Sequence, residues 1–171
     1  MNIEISKIMP SDAGKLAVLK QQVWISTYAN EGINEEFSGY VLSEFTREKV
    51  LNSVSDRDRL TLGAYYNQNL TGCAEIILLP ERPHQAVKPC PEIATLYVLE
   101  RFQDQGIGKM LLTECLHRLQ ELGFLQTWLT VYYRNEKAIR FYEKMNFLNV
   151  GETDFELGSN RYKNFIMLKD L

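Results

Sequence analysis

Gln103-Asp104-Gln105-Gly106-Ile107-Gly108-Lys109 stands between two segments of different periodicity. Before it, residues 93–99 are rich in apolar and β-branched side chains and read as a strand. After it, Ile107, Leu111, Leu112, Cys115, Leu116, Leu119 and Leu122 recur at helical spacing, and Gly123 closes the run. Two glycines between a strand and a helix remove Cβ atoms where backbone must approach a ligand closely. The first amides of that helix lack intrahelical acceptors, and with the helix dipole they form an anion site. Lys109 adds a positive charge, so the segment offers a pyrophosphate cradle.

Two nucleotide motifs are excluded. A P-loop needs Gly-Lys followed by Ser or Thr, and here Met110 follows Lys109. A dinucleotide-binding turn needs a third glycine where Leu111 stands. On spacing alone, a tight turn with no ligand stays open.

Upstream, residues 3–9 alternate and stop at Pro10, which predicts a strand. Ser11 and Asp12 can cap a helix carrying Leu16, Leu19, Val23 and Trp24. Residues 28–39 are mixed and acidic, with Glu31, Glu35 and Glu36, and read as a loop or short turns; a second helix is expected over 43–54. The β-rich runs 60–66 and 70–79 flank Asn67-Gln68-Asn69, a hairpin signal. Pro80, Pro83, Pro89 and Pro91 mark an ordered loop, because a strand resumes at once. Downstream, residues 127–133 read as a strand, and Asn135 can cap a helix with Ala138, Ile139, Tyr142 and Met145. Residues 147–150 and 161–168 read as final strands around a loop. This order predicts an α/β protein, a mixed sheet with helices on its faces.

A length of 171 residues suits one domain, expected to span residues 1–171. With 45% hydrophobic and 24% charged residues, disordered and fibrous classes are excluded. A formal charge of −3 argues against a general nucleic-acid binder. Cys73, Cys90 and Cys115, with His84 and His117, lack the paired spacing of a zinc site, so no metal is expected. With neither a leader pattern at the N-terminus nor about 20 consecutive apolar residues, the expectation is a cytoplasmic chain without membrane attachment.

Gln103-x-x-Gly106-x-Gly108 resembles the Q/R-x-x-G-x-G/A signature of the GNAT superfamily of acetyl-CoA-dependent N-acetyltransferases. Asn135-x-x-Ala138-x-x-Phe141-Tyr142-x-Lys144-x-Asn146-Phe147 is similar to the family's second signature, N-x-x-A-x-x-F-Y-x-K-x-G-F. The element order agrees as well, so the resemblance covers essentially the whole chain. Asn146 stands where the family usually has glycine. As a residue just past a helix end, asparagine is the next best tolerated in left-handed geometry.

The resemblance implies a central mixed, mostly antiparallel sheet with two splayed strands, the pantetheine arm of acetyl-CoA lying between them. It implies backbone groups of Leu96, Tyr97 and Val98 for the acetyl and pantetheine amides. It further implies Gln103 and the amides of Gln105, Gly106, Ile107, Gly108 and Lys109 for the pyrophosphate, and the helix of Asn135, Ala138, Tyr142 and Lys144 for the rest of the cofactor. Lys137 and Lys144 are candidate phosphate partners, or ordinary solvated side chains. Tyr142 is the candidate general acid for the departing thiolate. Glu92, eleven positions before Gln103, is the candidate base, because a glutamate at that spacing serves so in some members.

Acceptor-site candidates are Trp24, Tyr28 and Glu31, with the proline-rich loop and residues 155–162. Aromatic walls and acidic residues suit a cationic amine. The implied reaction is direct acetyl transfer to a primary amine, with a small polyamine or amino compound as acceptor. A protein N-terminus or lysine, and a non-catalytic acyl-CoA sensor, remain the alternatives. Family members are often dimers, so a homodimer is an open expectation.

Overall fold

The computed structural model describes residues 2–29, 31–81, 87–158 and 160–171. The strands are β1 (Ile3–Lys7), β2 (Arg59–Tyr66), β3 (Asn69–Ile77), β4 (Glu92–Val98), β5 (Gln126–Tyr132), β6 (Leu148–Leu157) and β7 (Asn160–Asp170). They form one mixed sheet in the order β1-β2-β3-β4-β5-β7-β6. The helices are α1 (Ala13–Tyr28), α2 (Glu35–Glu44), α3 (Arg47–Ser55), α4 (Ile107–Glu121) and α5 (Glu136–Lys144). None of the described helices is long and apolar enough to cross a membrane. Contacts gather into two compact units, Met1–Ile76 with Thr95–Cys115 and Ile77–Ala94 with Leu116–Leu171, so β4 and α4 contribute to both.

In the first unit β1 runs antiparallel to β2, from Ile3 opposite Tyr66 to Lys7 opposite Leu62. Asn67 and Gln68 both take left-handed backbone, φ 48° and 66°, which is the two-residue hairpin geometry matched to strand twist. Asn69 therefore opens β3 instead of closing the turn. Leu16, Leu19 and Val23 of α1 and Val50 and Val54 of α3 pack with Cys73 of β3, against which Tyr97 and Leu99 also lie. Alternation turns Gly72 to the opposite face, where an added Cβ would stand 2.8 Å from the Tyr97 carbonyl oxygen and 3.2 Å from Leu111 Cδ1 of α4. Helices thus cover both faces of these strands, and the glycine permits close strand and helix approach.

The expected loop over 28–39 and single helix over 43–54 are corrected. Asn34 caps α2, its side-chain oxygen accepting from the Phe37 amide at 2.8 Å. Glu35 and Glu36 lie in the first turn, where carboxylates favour the helix dipole. Phe37, Tyr40 and Val41 form the inward stripe. The chain breaks at Phe45, and Thr46 caps α3 by accepting from the Lys49 amide at 3.1 Å.

In the second unit β5 pairs antiparallel with β7, from Gln126 opposite Asp170 to Tyr132 opposite Asn164. The start of β4 pairs in parallel with β5 at Glu92 and Trp128. β6 pairs with β7 along its length, with a register shift between Asn149 and Gly151. The strand expected to stop at residue 150 therefore continues to Leu157. Its outer half is held by the ladder to β7 and turns Thr153, Phe155 and Leu157 inward between exposed Glu152, Asp154 and Glu156. Val87, Trp128 and Ile166 form a core with Cys90 and Leu168. The end of the proline-rich segment is tied to β5: Trp128 Nε1 donates to the Cys90 carbonyl at 3.2 Å and Thr127 Oγ1 to the Pro91 carbonyl at 2.9 Å. Pro83 and His84 lie outside the described residues.

Candidate active site

The first unit builds the glycine turn from backbone. Asp104 and Gly106 take φ 59° and 82°, and the Gly106 carbonyl accepts the first helical bond, from the Met110 amide at 3.0 Å. The amides of Ile107, Gly108 and Lys109 therefore open α4 and have no acceptor within it. An added Cβ at Gly106 would meet nothing within 4 Å, so the glycine answers to its φ and to open space, not to packing. Buried Ile107 anchors the turn, and Lys109 is exposed.

The two glutamines have structural tasks that spacing did not reveal. Gln103 Nε2 donates to the Val98 carbonyl at 3.1 Å, fastening the turn to the end of β4. Gln105 Nε2 donates to the Arg101 carbonyl at 3.0 Å. Their backbone amides still belong to the turn. Leu96, Tyr97 and Val98 are half-buried at the end of β4.

Trp24 is 6% exposed within an aromatic cluster. Its ring centroid lies 4.6 Å from Tyr28, 4.6 Å from Tyr40 and 5.0 Å from Phe37. Burial, then the charges of Glu44 and Tyr28, push the Tyr40 phenol up to about 12. The Tyr97 phenol is driven well above its ordinary range, first by burial and then by Tyr28, Cys73, Glu75 and Tyr40. Tyr28 is half-buried and Glu31 exposed. Sequence reasoning missed a buried polar group that begins one helical turn before Trp24. Lys20 Nζ donates to Glu75 Oε2 at 2.5 Å, and Thr95 Oγ1 donates to the same oxygen at 3.0 Å. The available signals were a lysine four residues before Trp24 on the α1 stripe and a glutamate inside the apolar β3.

The second unit carries α5. Asn135 Oδ1 accepts from the Ala138 amide at 3.1 Å, so this side chain caps the helix. Tyr142 is 8% exposed, its ring at 5.3 Å from Phe141 and 5.8 Å from Phe147. Asn146 takes φ 63°, the left-handed geometry expected past the helix end. Lys137 and Lys144 are exposed, and Glu92 is half-buried at the start of β4.

The chain as a whole is similar to known proteins. The chain is 29% identical over 158 residues to a spermidine N(1)-acetyltransferase of Thermoplasma acidophilum, covering 90% of this chain and 92% of that protein. A spermine/spermidine N(1)-acetyltransferase of Bacillus subtilis is 32% identical over 95 residues, 55% of this chain and 62% of that one. The crystal structure of the PaiA N-acetyltransferase from Thermoplasma acidophilum in complex with coenzyme A superposes with a TM-score of 0.81 at 28% identity, covering 100% of both chains. The Escherichia coli ribosomal-protein-S18-alanine N-acetyltransferase shares the fold, with a TM-score of 0.72 at 17% identity over 99% of this chain and 94% of that one. Residues 26–147, from the end of α1 through the cap of α5, match the acetyltransferase (GNAT) family, and the chain belongs to that family of acetyl-CoA-dependent N-acetyltransferases.

Proposed function

We propose that this acetyltransferase moves the acetyl group of acetyl-CoA directly to a primary amine of a small polyamine or related amino compound. The observation that carries the acceptor is likeness to a named spermidine acetyltransferase along nearly the full length of both chains. The aromatic cluster around Trp24, with Glu31, Glu35, Glu36 and Glu44 nearby in sequence, is chemically suited to an alkylammonium.

The residues divide the work as follows. The α4 amides of Ile107, Gly108 and Lys109 receive the pyrophosphate, because they are oriented donors at the positive end of a helix dipole. The left-handed, unobstructed Gly106 fits a ligand held close to backbone. Leu96, Tyr97 and Val98 offer backbone groups to the acetyl and pantetheine amides, and the Val98 amide stabilises the oxyanion. Gln103 keeps these two stretches in fixed relation through its bond to the Val98 carbonyl. On α5, Asn135 and Ala138 bind the pantetheine arm and Lys144 meets phosphate. An alkylammonium with pKa near 10.4 is neutral in fewer than about one molecule in a thousand at pH 7, so the acceptor must lose a proton with help. Tyr142 gives its phenolic proton to the departing thiolate. With reference values near 10 and 8.5, that step is uphill by about 2 kcal/mol, acceptable for a transient transfer.

Release of free thiol from acetyl-CoA tests this reading, with spermidine, spermine and peptides bearing a free N-terminus or lysine as acceptors. Turnover of the polyamines above the peptides supports it. Turnover of peptides alone replaces the acceptor, and retention of CoA without release supports a sensor.

A further inference from the structure

Lys20, Trp24 and Tyr28 lie four residues apart on α1 and share one face. On β3, Cys73 and Glu75 share a face, as do Thr95 and Tyr97 on β4. Lys20, Glu75 and Thr95 are 8%, 3% and 9% exposed. Both donors, Lys20 Nζ and Thr95 Oγ1, bond to Glu75 Oε2. The other oxygen, Oε1, is buried and has no hydrogen-bond partner. A buried carboxylate oxygen in that condition forfeits about 1–3 kcal/mol of solvation or more, so it calls for an explanation.

Its surroundings supply one. Tyr97 is half-buried, and the charge of Glu75 acts on its phenol together with Cys73, Tyr28 and Tyr40. Around the carboxylate are Lys20 of α1 and Thr95 of β4, both bonded to Oε2, with Cys73 and Tyr97 on the same faces of their strands two residues away. Through Tyr97 they extend to Tyr28 of α1 and Tyr40 of α2. The one unsatisfied acceptor in this group lies beside the strand segment that the functional reading gives to the acetyl group.

We propose that Glu75 Oε1 receives the proton that the acceptor's ammonium must lose before it attacks the thioester. This rests on the functional reading above and replaces Glu92 in the role of base. The N–H bond of the ammonium breaks and its electron pair stays on nitrogen. The proton forms an O–H bond on Oε1 and is relayed there by water, because the oxygen itself is buried. The neutral amine then attacks the acetyl carbon, Tyr142 protonates the thiolate, and Glu75 returns its proton to solvent. Lys20 has two effects here. Its bond to Oε2 fixes the carboxylate and leaves Oε1 as the oxygen open to a proton, and its charge disfavours a second cation beside Oε1, which eases proton loss from the incoming amine.

The test is the pH dependence of thiol release for wild type, Glu75→Gln, the double variant Lys20→Met/Glu75→Gln and Glu92→Gln, with spermidine and with a weakly basic amine. The double variant removes both buried charges together and so guards against misfolding of the single one. Both Glu75 variants should lose about 100-fold or more in kcat/KM for spermidine at pH 7, in the range for general-base catalysis. That loss should shrink as pH rises toward 10 and be small with the weakly basic amine, because solution then supplies neutral acceptor. The KM for acetyl-CoA should change little, and a pH-dependent loss in Glu92→Gln with the Glu75 variants unaltered would give the role to Glu92 and overturn the assignment. A loss equal at every pH and for both amines, or no loss, overturns the assignment. A wild type that releases no thiol with any amine overturns the functional reading itself; an active wild type with unaltered Glu75 variants overturns this assignment alone.

Discussion

The Phe147 amide donates to the Tyr142 carbonyl at 3.0 Å, and the two rings meet edge to face at 5.8 Å and 63°. The Asn146 amide donates to the Glu143 carbonyl at 2.9 Å, which completes the paired bonds of a left-handed helix stop. The same cap that ends α5 therefore also holds the ring of the proposed acid, and the Phe141 ring lies 5.3 Å from it. The phenol proposed as the acid thus takes its direction from a helix terminus.

Asn146→Gly should leave the melting temperature and kcat unchanged or slightly raised, since glycine takes φ 63° without strain. Asn146→Val should cost about 1–2 kcal/mol. It should also lower kcat as the grip on Tyr142 loosens. Tyr142→Phe should keep stability and hold acetyl-CoA affinity within about twofold while kcat falls about 100-fold or more. Thermal melts with steady-state kinetics check the series; an unchanged kcat in Tyr142→Phe would remove it as the acid.

Two glycines should fail in different ways. Gly106→Ala meets no neighbour, so its cost is backbone strain of about 1–3 kcal/mol, with a raised KM for acetyl-CoA as its main kinetic effect. Gly72→Ala drives a Cβ to 2.8 Å from the Tyr97 carbonyl oxygen, which is backbone and cannot swing aside. It should displace β4 and lower both stability and kcat. Equal profiles in the two variants would contradict this distinction.

The Lys20–Glu75 pair gives a stability prediction that does not depend on catalysis. Lys20→Met strands a buried carboxylate and should cost about 3–5 kcal/mol. Lys20→Met/Glu75→Leu removes both charges and should recover much of that loss in chemical denaturation. A double variant no better than the single one would show that packing, not charge, sets the cost.

Stability should fall on the alkaline side. Burial pushes the Cys115 thiol from the ordinary 9.0 up to about 12, Cys73 upward as well, and Tyr40 from 10.0 to about 12. Each folded-state pKa lies above its unfolded value, so the stabilisation is complete below pH 9. It drains away as pH rises to 12, because the unfolded chain ionises first. Melting temperatures between pH 8 and 11 should decline, and Cys73→Ala/Cys115→Ala should flatten the early part of that decline. A flat profile in wild type would refute the burial of these thiols.

How far the sequence carried the fold varies by element. The turn of Gln103–Gly108 and the α5 pattern around Tyr142 are local, so spacing alone located both. α2 escaped because its acidic first turn looked like a solvated loop, whereas Asn34 and the stripe of Phe37, Tyr40 and Val41 make it a capped helix. The outer half of β6 alternates Thr153, Phe155 and Leu157 with exposed Glu152, Asp154 and Glu156, but only two of these are large and apolar, and its ladder to β7 completes it. Lys20 and Glu75 lie 55 residues apart, and only packing of α1 on β3 brings them together. Spacing puts Gln103 at the turn, but its bond to Val98 is visible only once the turn is folded.

The acceptor is the centre of the account, and competition between amines measures it most directly. Purified protein with acetyl-CoA and equimolar spermidine and a peptide bearing a free N-terminus and one lysine would be followed by mass spectrometry of the products. Monoacetylated spermidine forming well ahead of acetylated peptide is the predicted result. Acetylated peptide with spermidine left untouched would contradict it.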